Sequence, residues 1–337
     1  MLSVITNEFI LNQAMQLTKA AQKIAPSIKI LKFAGGKPET GVVMCHLRDG
    51  HHYLPHFLNH YRSCGVKKFA FIDNGSEDRS VALLLDQSDC DVYQCLGDFK
   101  SSLCGTIWHN IVMSNYQSAT WILNVDIDEF AIYDGWPHIG LEEFSYQCSA
   151  VGLGAVSAIM IDMYESGALA KARRISESQD LFGDFSYFDG DGYTRLRIHN
   201  WRQNFFPRQI IDGGPSKRIF QDQGHEWLAK TPFILEPGII YLDPHTVLPI
   251  GLNFNPPLIA LMHFRLNGDL TDKIRMVDST GYTKGSITSY QKFGSEMERD
   301  PLFSLSYSGS EKFATISQLL NKDMIRSPID TALFRPD

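Results

Sequence analysis

The sequence predicts an α/β protein on a doubly wound, mostly parallel sheet, with an N-terminal helix before it and a C-terminal helical tail after it. Three observations predict it. Apolar runs of strand length recur at 41–45, 68–72, 90–96, 121–126 and 155–161, and helical periodicity fills the intervals between the first four. The run Trp121–Phe130 (Trp-Ile-Leu-Asn-Val-Asp-Ile-Asp-Glu-Phe) is too continuously apolar at its start for a half-solvated strand, so both of its faces are expected to be buried. Finally, carboxylates stand where these runs stop, at Asp73, at Asp126 and Asp128, and at Asp162. In open α/β sheets the ligand crevice lies outside the carboxyl ends of the strands, so these acids mark it.

Taken in order, residues 1–40 form an appendage. Phe9, Ile10, Ala14, Leu17, Ala20, Ala21 and Ile24 recur at helical spacing, Pro26 ends the helix, and Gly35-Gly36-Lys37-Pro38 reads as a linker. Docking of this helix on the main body is the first reading; a membrane-surface or partner-binding helix is the lesser alternative, because its polar face is not strongly basic. Residues 41–270 hold the main domain. A strand at 41–45 leads through a turn at 47–50 to a helix marked by Tyr53, Leu54, Phe57, Leu58 and Tyr61, which Gly65 stops. The strand 68–72 ends in Asp73-Asn-Gly-Ser-Glu-Asp78, and a helix follows through Val81 to Leu85 with Ser76 or Asp78 as its cap. Asp73 either faces a nucleoside or caps a plain turn. A strand at 90–96 and a helix around Leu103–Val112 precede the central run. Beyond Pro137 come a short helix at 141–146 and the strand 155–161, ending in Asp162-Met-Tyr-Glu165.

Residues 165–210, polar and rich in Gly and Arg (Arg173, Arg174, Arg195, Arg197, Arg202), read as a long loop over a site. Gly213-Gly214 leads into Ser216–Phe220, a basic turn entering a strand. His263 closes a late apolar strand, and the tail 271–337 reads as polar helix with Tyr282, Tyr290 and Phe293 spaced for packing.

At 337 residues the chain buries a full core. A hydrophobic share of 44% and a charged share of 20% are ordinary for a globular protein, and a net charge of −7 argues against a nucleic-acid binder. The six cysteines show no CxxC pair, no run reaches membrane-spanning length and no signal peptide opens the chain, so free thiols and a cytoplasmic location are expected.

Asp-x-Asp occurs three times, at Asp89/Asp91, Asp126/Asp128 and Asp189/Asp191. The outer pairs read as solvated turns. Only the middle pair ends a buried strand, where a small turn aims both carboxylates at one hard divalent cation. His46, His51, His52, His56 and His60 suggest a metal cluster, but read better as helix-surface and loop histidines, since zinc lacks further local ligands.

These motifs resemble, in order over about residues 42–326, bacterial family 2 glycosyltransferases distantly similar to galactan synthases. The resemblance rests on Val43–Leu54 with His60-Tyr61, on Phe71–Asp78 and on Trp121–Phe130. It continues through Asp162-Met-Tyr164, Tyr187–Asp189, Gly213-Gly214 with Lys217–Phe220, Leu228–Pro232, His245 and Leu261–Arg265. It implies a GT-A fold and inverting transfer of a sugar from a nucleotide-diphosphate donor, with UDP-sugar expected, to a hydroxyl of a glycan or glycolipid. It further implies Mn²⁺ or Mg²⁺ as cofactor and a cell-surface glycan as product; the N-terminal helix is the element expected to hold such an enzyme peripherally at the inner membrane.

On that resemblance Asp73 contacts the base and Asp126 sits by ribose and metal. Asp128 ligates the metal, and His263 completes its shell or binds phosphate, unless it is simply a buried, hydrogen-bonded histidine. Arg218 and Lys230 hold the leaving group. A general base is needed on the acceptor side, where Asp162 is the first choice and Glu165 the reserve; Glu129 and Glu226 qualify by residue type. Where the family carries Lys-Asn-Glu this chain has Leu47-Arg48-Asp49-Gly50, which sustains an alternative: a GT-A-like module that binds nucleotide or glycan without turnover. A nucleotidyltransferase would instead place a Gly-rich basic loop there.

Overall fold

Nine strands join in one sheet whose inner members are the apolar runs of the sequence. The computed structural model describes residues 2–35, 38, 40–198, 206–220, 227–280 and 286–331, with backbone alone at 2–11, 276–280, 286–288 and 331. Gly36, Lys37, Arg202, Glu226 and Tyr282 therefore lie outside the described residues or side chains.

The chain begins with α1 (Leu2–Ile24), β1 (Lys29–Lys32), β2 (Val42–Leu47), α2 (Leu54–Ser63), β3 (Phe69–Asp73), α3 (Ser80–Leu85) and β4 (Cys90–Gln94). It continues with α4 (Thr106–Met113), β5 (Ile122–Asn124), β6 (Glu129–Tyr133), α5 (Leu141–Ala150), β7 (Ala155–Asp162), α6 (Leu181–Asp184) and β8 (Tyr187–Asp189). Then come β9 (Thr194–Ile198), β10 (Arg208–Asp212), α7 (Gly214–Phe220), β11 (Ala229–Ile234), β12 (Ile240–Asp243), β13 (Thr246–Leu248) and β14 (Pro257–His263). The tail adds α8 (Leu270–Thr280), α9 (Ser286–Arg299), β15 (Ser310–Lys312), α10 (Ile316–Asn321) and α11 (Pro328–Thr331).

The strand order is β1-β4-β3-β2-β5-β11-β7-β14-β6. Strands β4, β3, β2 and β5 are parallel to one another. Strand β11 is antiparallel to both β5 and β7, so β7 and its parallel partner β14 run with the first four. Only β1, β11 and β6 are reversed, and the sheet is mostly parallel. Alternate residues of one strand feed two cores. Val43, Cys45, Phe69 and Phe71 pack with Leu54, Phe57 and Tyr61 of α2, whereas Val42, Met44, Ala70 and Ile72 pack with Trp108 and Val112 of α4. Helices on both faces of a largely parallel sheet give a doubly wound, Rossmann-like arrangement. Helix α1 docks Leu17 against Ile107 and Leu242. No helix among the described residues is long and apolar enough to cross a membrane. All six cysteines are free, five of them buried.

Four local readings are corrected. The segment before the main domain supplies β1, an edge strand on β4 whose Lys-Ile-Leu-Lys sequence leaves Ile30 exposed and carries no burial pattern to read. The expected long loop at 165–210 contains α6, β8 and a β9–β10 hairpin; Arg195 and Arg197 hide the strand character of β9. The segment after Gly213 is helix α7, not a turn into a strand: Gly214, at φ +70°, reverses the chain, and Pro215 fits the first helical turn. Asp91 and Asp189 are buried rather than solvated, because Lys68 and Tyr116 hold the first and Arg218 and Tyr164 the second.

Candidate active site at the carboxyl edge of the sheet

Because six strands point the same way, their last residues share one edge. His46 of β2, Asp73 of β3, Asn124 of β5, Asp162 of β7 and His263 of β14 all lie there, and reversed β11 brings the start of its own strand, Lys230, to the same edge. The turn Val125–Asp128 leaves β5 at the middle of this row.

Asp126 is the most open acid of the turn. Its Oδ2 accepts from Lys230 Nζ at 2.8 Å, and its Oδ1 lies 3.8 Å from His46 Nδ1. Lys230 also donates to Glu129 Oε1 at 2.5 Å, while Glu129 Oε2 accepts the backbone N–H of Asp126 at 3.0 Å. Burial pushes the Glu129 carboxyl up, and it raises that of Asp126 too, but there Lys230 outweighs burial and holds the group well below the usual carboxylate range.

Asp128 is buried, and each of its oxygens faces a cation. Lys273 Nζ of α8 donates to Oδ2 at 3.0 Å, and His263 Nε2 stands 3.6 Å from Oδ1. The other imidazole nitrogen, Nδ1, faces Asp162 Oδ1 at 3.2 Å. Burial alone would lower the His263 pKa; the two flanking carboxylates reverse this and push it up to about 9. At neutral pH the ring is a cation that faces Asp162 within hydrogen-bond reach and Asp128 as a longer ion pair, the buried histidine that the sequence left as an option.

Asp162 meets Arg265 in a two-pronged contact, Nε to Oδ1 and Nη2 to Oδ2, both at 2.8 Å. Although burial would raise its pKa, Arg265 holds it well below the usual range, so it stays ionised. Glu165 accepts the backbone N–H of Arg173 at 2.9 Å and its Nε at 2.7 Å.

Two expected donor-side residues have their polar atoms engaged within the fold. The fully buried Asp73 carboxylate accepts the N–H groups of Gly75 at 3.1 Å and Ser76 at 3.0 Å, which is the turn alternative, and exposes no surface to a nucleoside. Arg218 is held by Asp189 at 2.8 and 3.1 Å, by the Leu305 carbonyl at 2.6 Å and over the Tyr307 ring. The histidines read as helix-surface and loop residues are placed differently in part: His46 lies in β2, and on α2 His56 and His60 bond the Ser176 and Ala131 carbonyls.

Sequence reasoning missed Lys273, Arg265 and a buried chain behind Asp126. Asn124 Nδ2 donates to His109 Nδ1 at 2.7 Å, and His109 Nε2 meets His46 Nδ1 at 3.2 Å. Burial lowers both histidine pKa values, so the chain is neutral and fixes the His46 ring. For Arg265, a strand-end acid facing an arginine three residues past Met262 was a readable signal; for Lys273 and His109 there was none.

Among the described residues, no three His, Cys, Asp or Glu side chains gather as a metal site. A small divalent cation nonetheless binds through one or two carboxylates, with phosphates and water completing its shell. Asp126 and Asp128 are the two carboxylates of one turn at this edge, each bonded to a lysine, and do not form a closed protein cage.

Against solved structures, S. aureus TarS is similar with a TM-score of 0.29 at 12% identity, over 43% of this chain and 29% of that one. S. aureus TarS 1–349 gives a TM-score of 0.26 at 12% identity, over 43% and 48%. The match thus spans less than half the length of either. No family model and no curated protein match the chain. A likeness this slight leaves the chemistry to be read from the side chains themselves.

Proposed function

We propose that this protein is a metal-dependent, inverting glycosyltransferase that moves a sugar from a nucleotide diphosphate, UDP foremost, to a hydroxyl of a cell-surface glycan or glycolipid. The observation that carries the reading is the Asp126-Ile-Asp128 turn at the carboxyl edge of the doubly wound sheet, with Lys230 and Lys273 against it. Carboxylates and lysines interleaved there suit a ligand that brings a diphosphate together with a divalent cation.

Asp126 and Asp128 would hold Mn²⁺ or Mg²⁺, which when bound neutralises charge on the diphosphate. Lys230 remains beside Asp126 as a fixed cation for the departing group. In the transfer the acceptor oxygen forms a bond to the anomeric carbon from the face opposite the diphosphate. The bond from that carbon to the phosphate oxygen breaks, and its electron pair leaves with the diphosphate. We assign the acceptor's proton to Asp162, which can take it only when Arg265, held on both of its oxygens, is drawn aside. Neither Asp73 nor Arg218 is given a direct role, since their polar atoms are engaged within the fold. We also propose that the chain works at the cytoplasmic face of the membrane, associating with it peripherally.

Calorimetric titration of UDP and GDP, with and without Mn²⁺, tests the reading on the wild type and on Asp128→Ala. Mn²⁺-dependent binding of one nucleotide, lost in the variant, supports it; no binding of either by folded protein defeats it. A second reading, a module that binds without turnover, is favoured by the Arg265 clamp on Asp162. Mn²⁺-dependent binding with neither transfer nor donor hydrolysis, unchanged in Asp162→Asn, would select it. A loss of about 10²–10⁴ in kcat in Asp162→Asn would select the transferase.

A further inference from the structure

Lys273 is the one cation on Asp128 that comes from outside the sheet. It sits on the first turns of α8, 145 residues along the chain from Asp128, with its ammonium 5.5 Å from the centre of the Tyr53 ring and about a quarter of its side chain exposed. The helix carrying it is anchored. Asn267 donates to the Phe264 carbonyl and the Tyr53 hydroxyl, both at 2.7 Å, and Asp269 accepts from Ile175 N at 3.1 Å and Arg174 Nη1 at 3.2 Å. What is free to move is the lysine's four-carbon stem.

We propose that Lys273 is a phosphate-binding residue that guards Asp128: it neutralises this carboxylate until a nucleoside diphosphate arrives, then exchanges Asp128 for a phosphate oxygen.

The proposal rests on the donor reading above and adds a residue and an order of events to it. A divalent cation on Asp128 Oδ2 would stand against the Lys273 ammonium, and among the described residues Lys273 has no second carboxylate to keep it there, as Glu129 keeps Lys230, so repulsion drives it off. His263 stands 3.6 Å from the other oxygen, so a cation approaching on that side meets a second positive group. Departure of Lys273 removes the nearer of the two charges from the cation's path to Asp128. Once displaced at the mouth of the crevice, its ammonium needs a new anion: Asp162 is closed off by Arg265, and Asp269 by Arg174 and the Ile175 N–H. The diphosphate is the anion that arrives. The consequence is coupling: cation and nucleotide bind together far better than the cation alone.

The test uses full-length protein, Mn²⁺ and UDP, with Mn²⁺ affinity read by calorimetry and by the spin-resonance signal of the free ion. Lys273→Met keeps the stem and removes the charge. Relative to wild type it is expected to bind Mn²⁺ alone tighter by on the order of tenfold, and UDP at saturating Mn²⁺ weaker by a similar factor. Lys273→Arg is expected to stay near wild type in the first measurement. Should Lys273→Met not fold, Lys273→Gln, which keeps a hydrogen bond to Asp128, carries the same expectations. Equal Mn²⁺ affinity in wild type and the uncharged variants overturns the guarding role, and undiminished UDP affinity overturns the phosphate contact. If the wild type binds no nucleoside diphosphate under any condition, it is the donor reading that falls, which the Mn²⁺-only comparison does not depend on.

Discussion

Lys230 on β11 donates to Glu129 Oε1 across 2.5 Å, and Glu129 is wholly shut off from water. The pair closes the floor of the crevice, with Asp126 as the ammonium's second partner. Lys230→Met would leave Glu129 charged and uncompensated in the interior, a loss of about 3–5 kcal/mol for a broken buried pair. Adding Glu129→Gln removes the orphaned charge, and the more open Asp126 turns to water. Urea unfolding at pH 7 is expected to show the double variant more stable than Lys230→Met alone; a double variant no better than the single would mean that the pair does not carry this stability.

Arg218 offers a cleaner separation of fold from function. Its fork is closed on Asp189, which also accepts the Tyr164 hydroxyl at 2.6 Å. Asp189 is 1% exposed, so Arg218→Met is expected to destabilise the protein by about 3–5 kcal/mol. In the fraction that remains folded, Mn²⁺–UDP affinity should stay within twofold of wild type. A tenfold weakening would instead put Arg218 at the donor.

How far the sequence could foresee this follows from what each residue needs. The buried strands were legible because burial on both faces forces unbroken apolar runs such as Ala155–Asp162, and the crevice was legible because acids end those runs. Their pairing was not. Asp91 and Asp189 look like turn residues until Lys68 and Arg218, 23 and 29 positions away, come to meet them. Lys273 reaches Asp128 over 145 positions and leaves no local trace. Asp73 shows the opposite limit: a strand-end acid before Asn-Gly-Ser serves a turn or a ligand with the same letters, and only the Gly75 and Ser76 hydrogen bonds separate them.

Gly268 links the site to the 165–175 segment. A Cβ there would run into the Ala172 carbonyl oxygen and lie 2.8 Å from Arg173 C and Arg174 N, all backbone atoms. Backbone cannot rotate aside, so Gly268→Ala is expected to cost about 1–3 kcal/mol or more as overpacking. Gly251→Ala meets nothing within 4 Å and is expected to fall within about 0.5 kcal/mol of wild type. Thermal melts of the two variants side by side would check this, and equal melting temperatures would refute it.

The histidines set a stability optimum near neutrality. Burial lowers the His60 pKa from 6.5 to about 4 while its Nε2 bonds the Ala131 carbonyl, and His109 is pushed down in the same way. Between pH 4 and 6.5 these rings take up protons when unfolded but not when folded, so their contribution is complete above 6.5 and is lost as pH falls towards 4. His263 has the opposite sign. Its folded pKa stands at about 9, above the unfolded 6.5, so its contribution is complete below 6.5 and drains away as pH rises through 9. The carboxylates held low by Arg265, Lys230 and Lys273 add their losses only below pH 4, where unfolded Asp protonates. Two lowered histidines outweigh one raised at pH 6.5, so unfolding free energy is expected to peak somewhat above it, near neutrality, and fall on both sides. Replacing His263 by Gln should flatten the alkaline limb and, because the ring also helps hold Asp128 and Asp162 low, soften the fall at the acid extreme; replacing His60 by Asn should make the acid limb shallower by about one proton's slope. An alkaline limb of unchanged steepness in His263→Gln would show that the ring between Asp128 and Asp162 is not the group that titrates.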